Sequence, residues 1–261
     1  MNRTGLLIAL AVAIPVGLLF GLHPKLDLDL AEPFYLPDVG LWTVHGLWAR
    51  KLRIVASWLI ALIAAPAFIG LALKLLLPAR PLMLPGRAAI LMIATLALAP
   101  GLVANVILKD TWGRPRPIDV TEFRGRQHFV PWWDPRGECP KNCSFIGGEA
   151  AGAFWTLAPA SLAPPQWRAL AYGAALAFGS GLSYIRIAGG GHFFTDCVFA
   201  GVFTFLTIWL VHGLLYRWRP TRITDAAVER ALEAIAMPGY RVLVSVAARL
   251  RAHLRGRSAN G

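Results

Sequence analysis

Charge is scarce in this sequence: 15% of its 261 residues are charged, and Asp and Glu number only 14 against 26 Lys and Arg. So little charge, with a mean hydropathy of +0.55, excludes an ordinary soluble domain and makes the chain a polytopic membrane protein. Cysteine is scarcer still. Three, at positions 139, 143 and 197, with six dispersed histidines, leave no zinc spacing, and neither a metal nor a cofactor is expected. The shortage of acid leaves a formal net charge of +12, which would raise nucleic acid as a partner if a recognition motif came with it. None does: the basic residues lie in loops and a tail around apolar runs, so nucleic acid is excluded, and a membrane surface and an anionic substrate are the partners read from them.

What is abundant is apolar sequence in helix-length runs. Residues 5–22, 54–77, 88–108, 149–163, 169–187 and 193–216 read as six transmembrane helices, the third kinked at Pro100 and the fourth and fifth rich in small residues that let helices approach closely. The expected fold is therefore an all-α membrane helical bundle, with a membrane domain over 1–216 (motif core 88–216) and a basic tail over 217–261. No small-residue cleavage site follows the first run, so it reads as a retained helix. Residues 23–53 read as an interfacial loop with a short amphipathic piece, and Lys74, near the end of the second run, as a snorkelling side chain. In the tail, Val228, Leu232 and Ile235, and after Pro238-Gly239 also Leu243, Val246, Leu250 and Leu254, fall on apolar helix faces, as in a basic amphipathic segment lying on an anionic membrane surface. Six spans put both termini on one side. The tail arginines make that side cytoplasmic.

Two loops then face away from the cytoplasm together. One, residues 109–148, is too long for a mere connection and carries KDTWGRPRP; the other contains RIAGGGHFFTD, with Arg186, His192 and Asp196. If the second segment is helical from about His192, Asp196 lies one turn away on the same face. A carboxylate there holds an imidazole in one tautomer and stabilises its cation, making it a nucleophile or base. Gly189 to Gly191 leave the turn bare for an anion, with Arg186 supplying charge. Cleaving a phosphomonoester needs cations on the equatorial oxygens, an in-line nucleophile and a proton for the leaving group. Lys109, Arg116 and Arg186 meet the first need, His192 the second and Glu149 the third, a helix-capping carboxylate being the alternative for Glu149. Arg114 and Arg124 read as solvated or headgroup contacts, His45, His128 and His212 as structural or solvated, and Trp132 and Trp133 as an interfacial belt or the lining of a lipid entrance. Cys139 and Cys143 are disulfide candidates, two free thiols being the alternative.

Taken together, Lys109 with Arg116-Pro117 seven positions on, SFIGGEAAGAF opening the fourth helix, and Arg186, His192 and Asp196 in the spacing R-x5-H-x3-D resemble the type 2 phosphatidic acid phosphatase superfamily. The resemblance implies a metal-independent membrane lipid phosphatase in which Lys109, Arg116 and Arg186 grip phosphate, His192 attacks phosphorus and Asp196 orients it. The family's central Pro-Ser-Gly-His is here Ile146, Gly147, Gly148 and Glu149, so the phosphate-binding serine and the acid histidine are replaced, with Gly147 and Gly148 left to the phosphate. Ile185 stands where a serine usually precedes the arginine. Glu at the acid position within CPKNCSF is similar to the branch containing bacterial lipid A phosphatases. That implies a lipid A 1- or 4'-phosphate substrate and a phosphohistidine intermediate, with a polyprenyl diphosphate or phosphatidylglycerophosphate phosphatase, a lipid phosphotransferase, or a non-catalytic lipid-phosphate binding protein as alternatives.

Overall fold

A computed structural model describes residues 2–258. Helix α1 (Arg3–Leu22) starts at Asn2, whose side chain accepts the Gly5 N–H at 3.1 Å, satisfying one of the orphan donors at a helix start. It packs along helix α9 (Phe194–His212) through glycines, Gly5 against Phe205 and Gly17 against Phe199. The short α2 (Leu26–Ala31) follows, then a two-residue hairpin, β1 (Tyr35–Leu36) paired antiparallel with β2 (Leu41–Trp42). This segment, expected to be interfacial, packs on the protein. Asp27 is buried, and Trp42 packs on Gly190, where a Cβ would lie 2.4 Å from the indole.

Helix α3 (Gly46–Leu76) and helix α4 (Gly86–Leu96) form a hairpin. Helix α4 continues as a π-helical stretch through Leu108 and a last turn, α5 (Lys109–Thr111). Pro100 lies in the widened stretch, where its missing N–H is least costly, and Asn105 Nδ2 donates to the Pro100 carbonyl at 2.7 Å.

Sequence 149–163 was expected as one span and is two pieces, α6 (Gly148–Phe154) and α7 (Leu157–Ser161), broken at Trp155-Thr156. These form the centre of the molecule. Phe154 lies between Gly179 and Gly201, where added Cβ atoms would come within 2.3 and 3.1 Å of its ring, and Trp155 is fully buried with Nε1 donating to Thr95 Oγ1 at 3.0 Å. Helix α8 (Pro165–Ala188) and helix α9 (Phe194–His212) pack on this core. Among the described residues four helices, Arg3–Leu22, Gly46–Leu76, Gly86–Thr111 and Phe194–Arg217, are long and apolar enough to cross a membrane.

The tail differs most from expectation. It forms one helix, α10 (Asp225–Ser258), that runs through Pro238, and its first turns dock on the α3–α4 hairpin. Arg87 pairs with Asp225 (Nη2 to Oδ2, 2.7 Å), and Val228 is buried against Gly86. Lys74 does not snorkel; it is buried, donates to the Arg80 carbonyl at 3.0 Å and pairs with Glu229 and Glu233. Of the expected apolar faces, Ile235, Leu243 and Val246 are exposed, while the side chains of Leu250 and Leu254 lie outside the described residues.

Candidate active site

The two polar loops and the start of α6 are stitched together by backbone hydrogen bonds. Ile118 N–H donates to the Gly190 carbonyl (3.0 Å), Gly147 N–H to that of Asp196 (3.2 Å), and Ser144 N–H to that of Arg114 (2.8 Å). Segments far apart in sequence thus converge on His192, which is buried at 1% exposure just ahead of α9.

His192 Nδ1 lies 2.7 Å from the Ser144 carbonyl oxygen. A carbonyl only accepts, so Nδ1 carries the proton and Nε2 the lone pair. The direct imidazole–carboxylate bond expected from the four-residue spacing is absent: Nδ1 is 3.9 Å from Asp196 Oδ2. The reason is local. His192 precedes the helix, and Asp196, in its first turn, accepts the Phe193 N–H at 2.8 Å as a capping carboxylate. Asp196 also accepts from Ser144 Oγ at 2.5 Å. Asp196 is therefore linked to His192 through Ser144, whose carbonyl oxygen meets Nδ1.

Asp196 belongs to a buried charge network. Arg114 Nη1 donates to Asp196 Oδ1 (2.5 Å) and Thr195 Oγ1 (2.8 Å), Nη2 to Asp27 Oδ2 (2.7 Å) and Nε to the Val130 carbonyl (3.1 Å). Arg114 is fully buried, with its guanidinium over the Phe193 ring at 4.5 Å. Burial opposes its charge, but Asp196 and Asp27 outweigh that and raise its pKa. Reading Arg114 as solvated or in contact with headgroups is thus overturned: two carboxylates meet the cost of desolvating it. Arg124 does lie exposed at the surface.

The cations expected to grip phosphate act on His192 electrostatically. Burial, then the positive charges of Arg186, Lys109 and Arg116, drive the His192 pKa well below the ordinary imidazole value, against the opposing pull of the Ser144 bond. Arg186 is buried, and its Nε has no hydrogen-bond partner among the described residues. Arg116 donates through Nε and Nη2 to the Asn142 carbonyl at 3.1 and 2.7 Å, within the loop closed by the Cys139–Cys143 disulfide. Gly191 is needed here, since a Cβ would lie 2.3 Å from Arg186 Nη2. At Gly148 a Cβ would lie 2.3 Å from Asn105 Oδ1 and 3.3 Å from Lys109 Nζ, whereas at Gly147 it would make ordinary contact with His192 at 3.6 Å. A side chain at Gly148 would displace the ends of Asn105 and Lys109, and one at Gly147 would press on Ala150 Cβ at 3.3 Å beside the imidazole.

Glu149 is engaged by arginine on two sides. Arg53 grips it with Nε to Oε2 at 2.8 Å and Nη2 to Oε1 at 2.5 Å, and Arg186 Nε lies 3.5 Å from Oε2. A carboxylate held in an arginine fork is stabilised in its ionised form and cannot donate a proton while so held. Sequence reasoning missed Arg53, Asp27, Thr195 and Ser144. Cys197 is a buried free thiol, and Trp132 packs on Phe199, ring centroids 4.4 Å apart, rather than facing lipid alone.

These residues set cations close enough to act electrostatically on an oriented, buried imidazole in a helical membrane protein. The chain belongs to the PAP2 superfamily, whose model matches residues 88–222. It is similar to the lipid A 4'-phosphatase of Francisella tularensis subsp. novicida (strain U112), 35% identical over 228 residues that cover 83% of this chain and 98% of that one. It is also similar to the lipid A 4'-phosphatase of Rhizobium leguminosarum, 42% identical over 107 residues, 41% of this chain and 46% of that one. No solved structure gives a significant match.

Proposed function

We propose that this protein is a lipid phosphatase that removes the 4'-phosphate of lipid A through a phosphohistidine on His192. The observation that carries the reading is the Nδ1 bond to the Ser144 carbonyl, which commits Nε2 to nucleophilic attack amid three cations. Nε2 attacks phosphorus in line with the sugar oxygen; the P–N bond forms as the P–O bond breaks, Lys109, Arg116 and Arg186 take up charge on the equatorial oxygens, and water then displaces the histidine to release phosphate. Gly147 and Gly148 let the phosphate approach the backbone. Asp196 steadies the imidazole through Ser144. When the phosphate dianion draws Arg53 and Arg186 to itself, Glu149 loses the charges that keep it ionised, takes up a proton and gives it to the leaving oxygen.

In this reading α6 with α7, and α8, complete six crossings, residues 1–216 are the membrane phosphatase domain, and residues 217–261 are a cytoplasmic tail. The Lys74 and Arg87 ends of α3 and α4, where α10 docks, lie at the opposite ends of those helices from Arg53 and Lys109. That separation supports cytoplasmic termini in the inner membrane and a site facing the periplasm, with the tail also available to an anionic leaflet. The test is to incubate the purified protein with lipid A labelled in the 4'-phosphate and quench in acid. Wild type releases phosphate and carries label on His192; His192→Ala binds the lipid and does neither. Label on any other residue overturns the assignment.

A further inference from the structure

The Arg53–Glu149 pair is also the rim of a groove of about 590 Å³ that runs along α3 and lies outside the phosphate site. Its wall is one helix face, with Arg50, Arg53, Ile54, Ser57, Trp58 and Ala61 recurring at intervals of three and four. The chemistry changes along that face. Arg50 and Arg53 stand at the end nearest the site, and Ile54, Trp58 and Ala61 follow toward the middle of the helix, with Ile54 47% and Trp58 72% exposed.

Exposed apolar side chains on a membrane helix need no explanation, because lipid covers them. The arginines do. Arg50 makes no hydrogen bond or ion pair among the described residues, and Arg53 is tied through Glu149 to the phosphate-site Arg186, whose Nε is 3.5 Å from that carboxylate. Two cations heading an open apolar groove match one kind of ligand, an anionic head with a hydrocarbon tail, and they fix its direction. The head lies toward Arg186 and the tail along α3.

We propose that this groove seats the acyl chain nearest the scissile phosphate, with Trp58 and Ala61 as its wall and Arg50 and Arg53 holding the polar end of that chain. The proposal rests on the lipid phosphatase reading above and adds which surface selects the lipid. Chain occupancy also brings the phosphate toward Arg53, the exchange by which Glu149 is released.

The test compares hydrolysis of lipid A in mixed micelles with that of p-nitrophenyl phosphate, which has no chain to seat. Ala61→Trp fills the groove and lowers the ratio of lipid to aryl phosphate kcat/KM about ten-fold or more, the scale of a blocked apolar pocket, mainly through KM on the lipid. Trp58→Ala shifts the same ratio in the same direction. An unchanged ratio in both variants overturns the proposal. Photocrosslinking gives a readout independent of turnover. A phosphate lipid carrying a diazirine in its acyl chain labels the face from Ile54 to Ala61 in wild type and not in Ala61→Trp. Labelling spread over α1 and α9 overturns the groove, whereas failure of wild type to release phosphate from lipid A with the α3 labelling intact overturns the phosphatase reading alone.

Discussion

Two groups of arginine and carboxylate flank His192, and they are built differently. In the inner group Arg114 is fully buried and spends its guanidinium on Asp196, Asp27, Thr195 and the Val130 carbonyl. In the outer group Arg186 Nε makes no hydrogen bond among the described residues and lies 3.5 Å from the Glu149 carboxylate, Arg116 donates to the Asn142 carbonyl, and Arg53 and Glu149 pair at a half-exposed rim. A buried guanidinium held by two carboxylates has little left to give a ligand and serves to position. A charge with contacts outstanding is ready to bind. In the proposed reading the same side-chain chemistry divides into scaffold and substrate site according to satisfaction, not residue type.

The sharpest way to break that comparison is to remove cations from each group. Lys109→Met, Arg116→Met and Arg186→Met each lower kcat on lipid A by about two to three orders of magnitude, as loss of one charge-stabilising donor does, with little change in the thermal midpoint in detergent. Arg114→Met inverts the pattern. It leaves Asp27 and Asp196 buried without their cation and costs about 3–5 kcal/mol of stability, read as a lowered thermal midpoint. Equal stability losses in both groups would erase the distinction.

Glu149→Gln probes the rim and separates its two roles. If Glu149 supplies the leaving-group proton, the loss is about a hundred-fold on lipid A and much smaller on p-nitrophenyl phosphate, whose leaving group needs no proton. Equal losses on both would make Glu149 a holder of Arg53 alone. The smallest effect is on pH dependence. The depressed His192 pKa keeps the imidazole neutral as pH falls, so the acid limb of kcat/KM lies below the ordinary value of about 6.5, and Arg186→Met moves it upward by removing a depressing charge. The unfolded chain's imidazole protonates first, so acidification below about 6.5 also favours unfolding. An acid limb at the ordinary imidazole value in wild type would contradict the buried, cation-flanked geometry.

The outer group was largely legible in the sequence, because Lys109, Arg116, Arg186 and His192 stand at fixed spacings in two loops. The inner group was not. Asp27 sits in LDLD, where nothing distinguishes it from Asp29, and its partner Arg114 lies 87 residues away; a pairing at that distance is set by the fold and leaves no periodic trace. Arg53, 96 residues from Glu149, looks like any basic residue at the end of a span. The one usable signal was Arg114 between glycine and proline inside a motif already marked as functional. Helix positions followed from apolar runs, and the break in α6–α7 and the continuity of α10 through Pro238 did not, since packing against neighbours decides both.

Helix α3 also works as a depth gauge. Its 31 residues at 1.5 Å each measure about 46 Å, against about 30 Å of hydrocarbon. In the orientation proposed above, that excess length places the Arg50 and Arg53 end at the level of the headgroups, which is where the phosphate of a membrane lipid already resides. Catalysis at that level spares the enzyme from lifting its substrate out of the bilayer, an extraction that would cost about 0.8 kcal/mol for every methylene drawn into water. Substrate then arrives by lateral diffusion in the leaflet, and its two-dimensional density there, more than its bulk concentration, governs the rate of encounter.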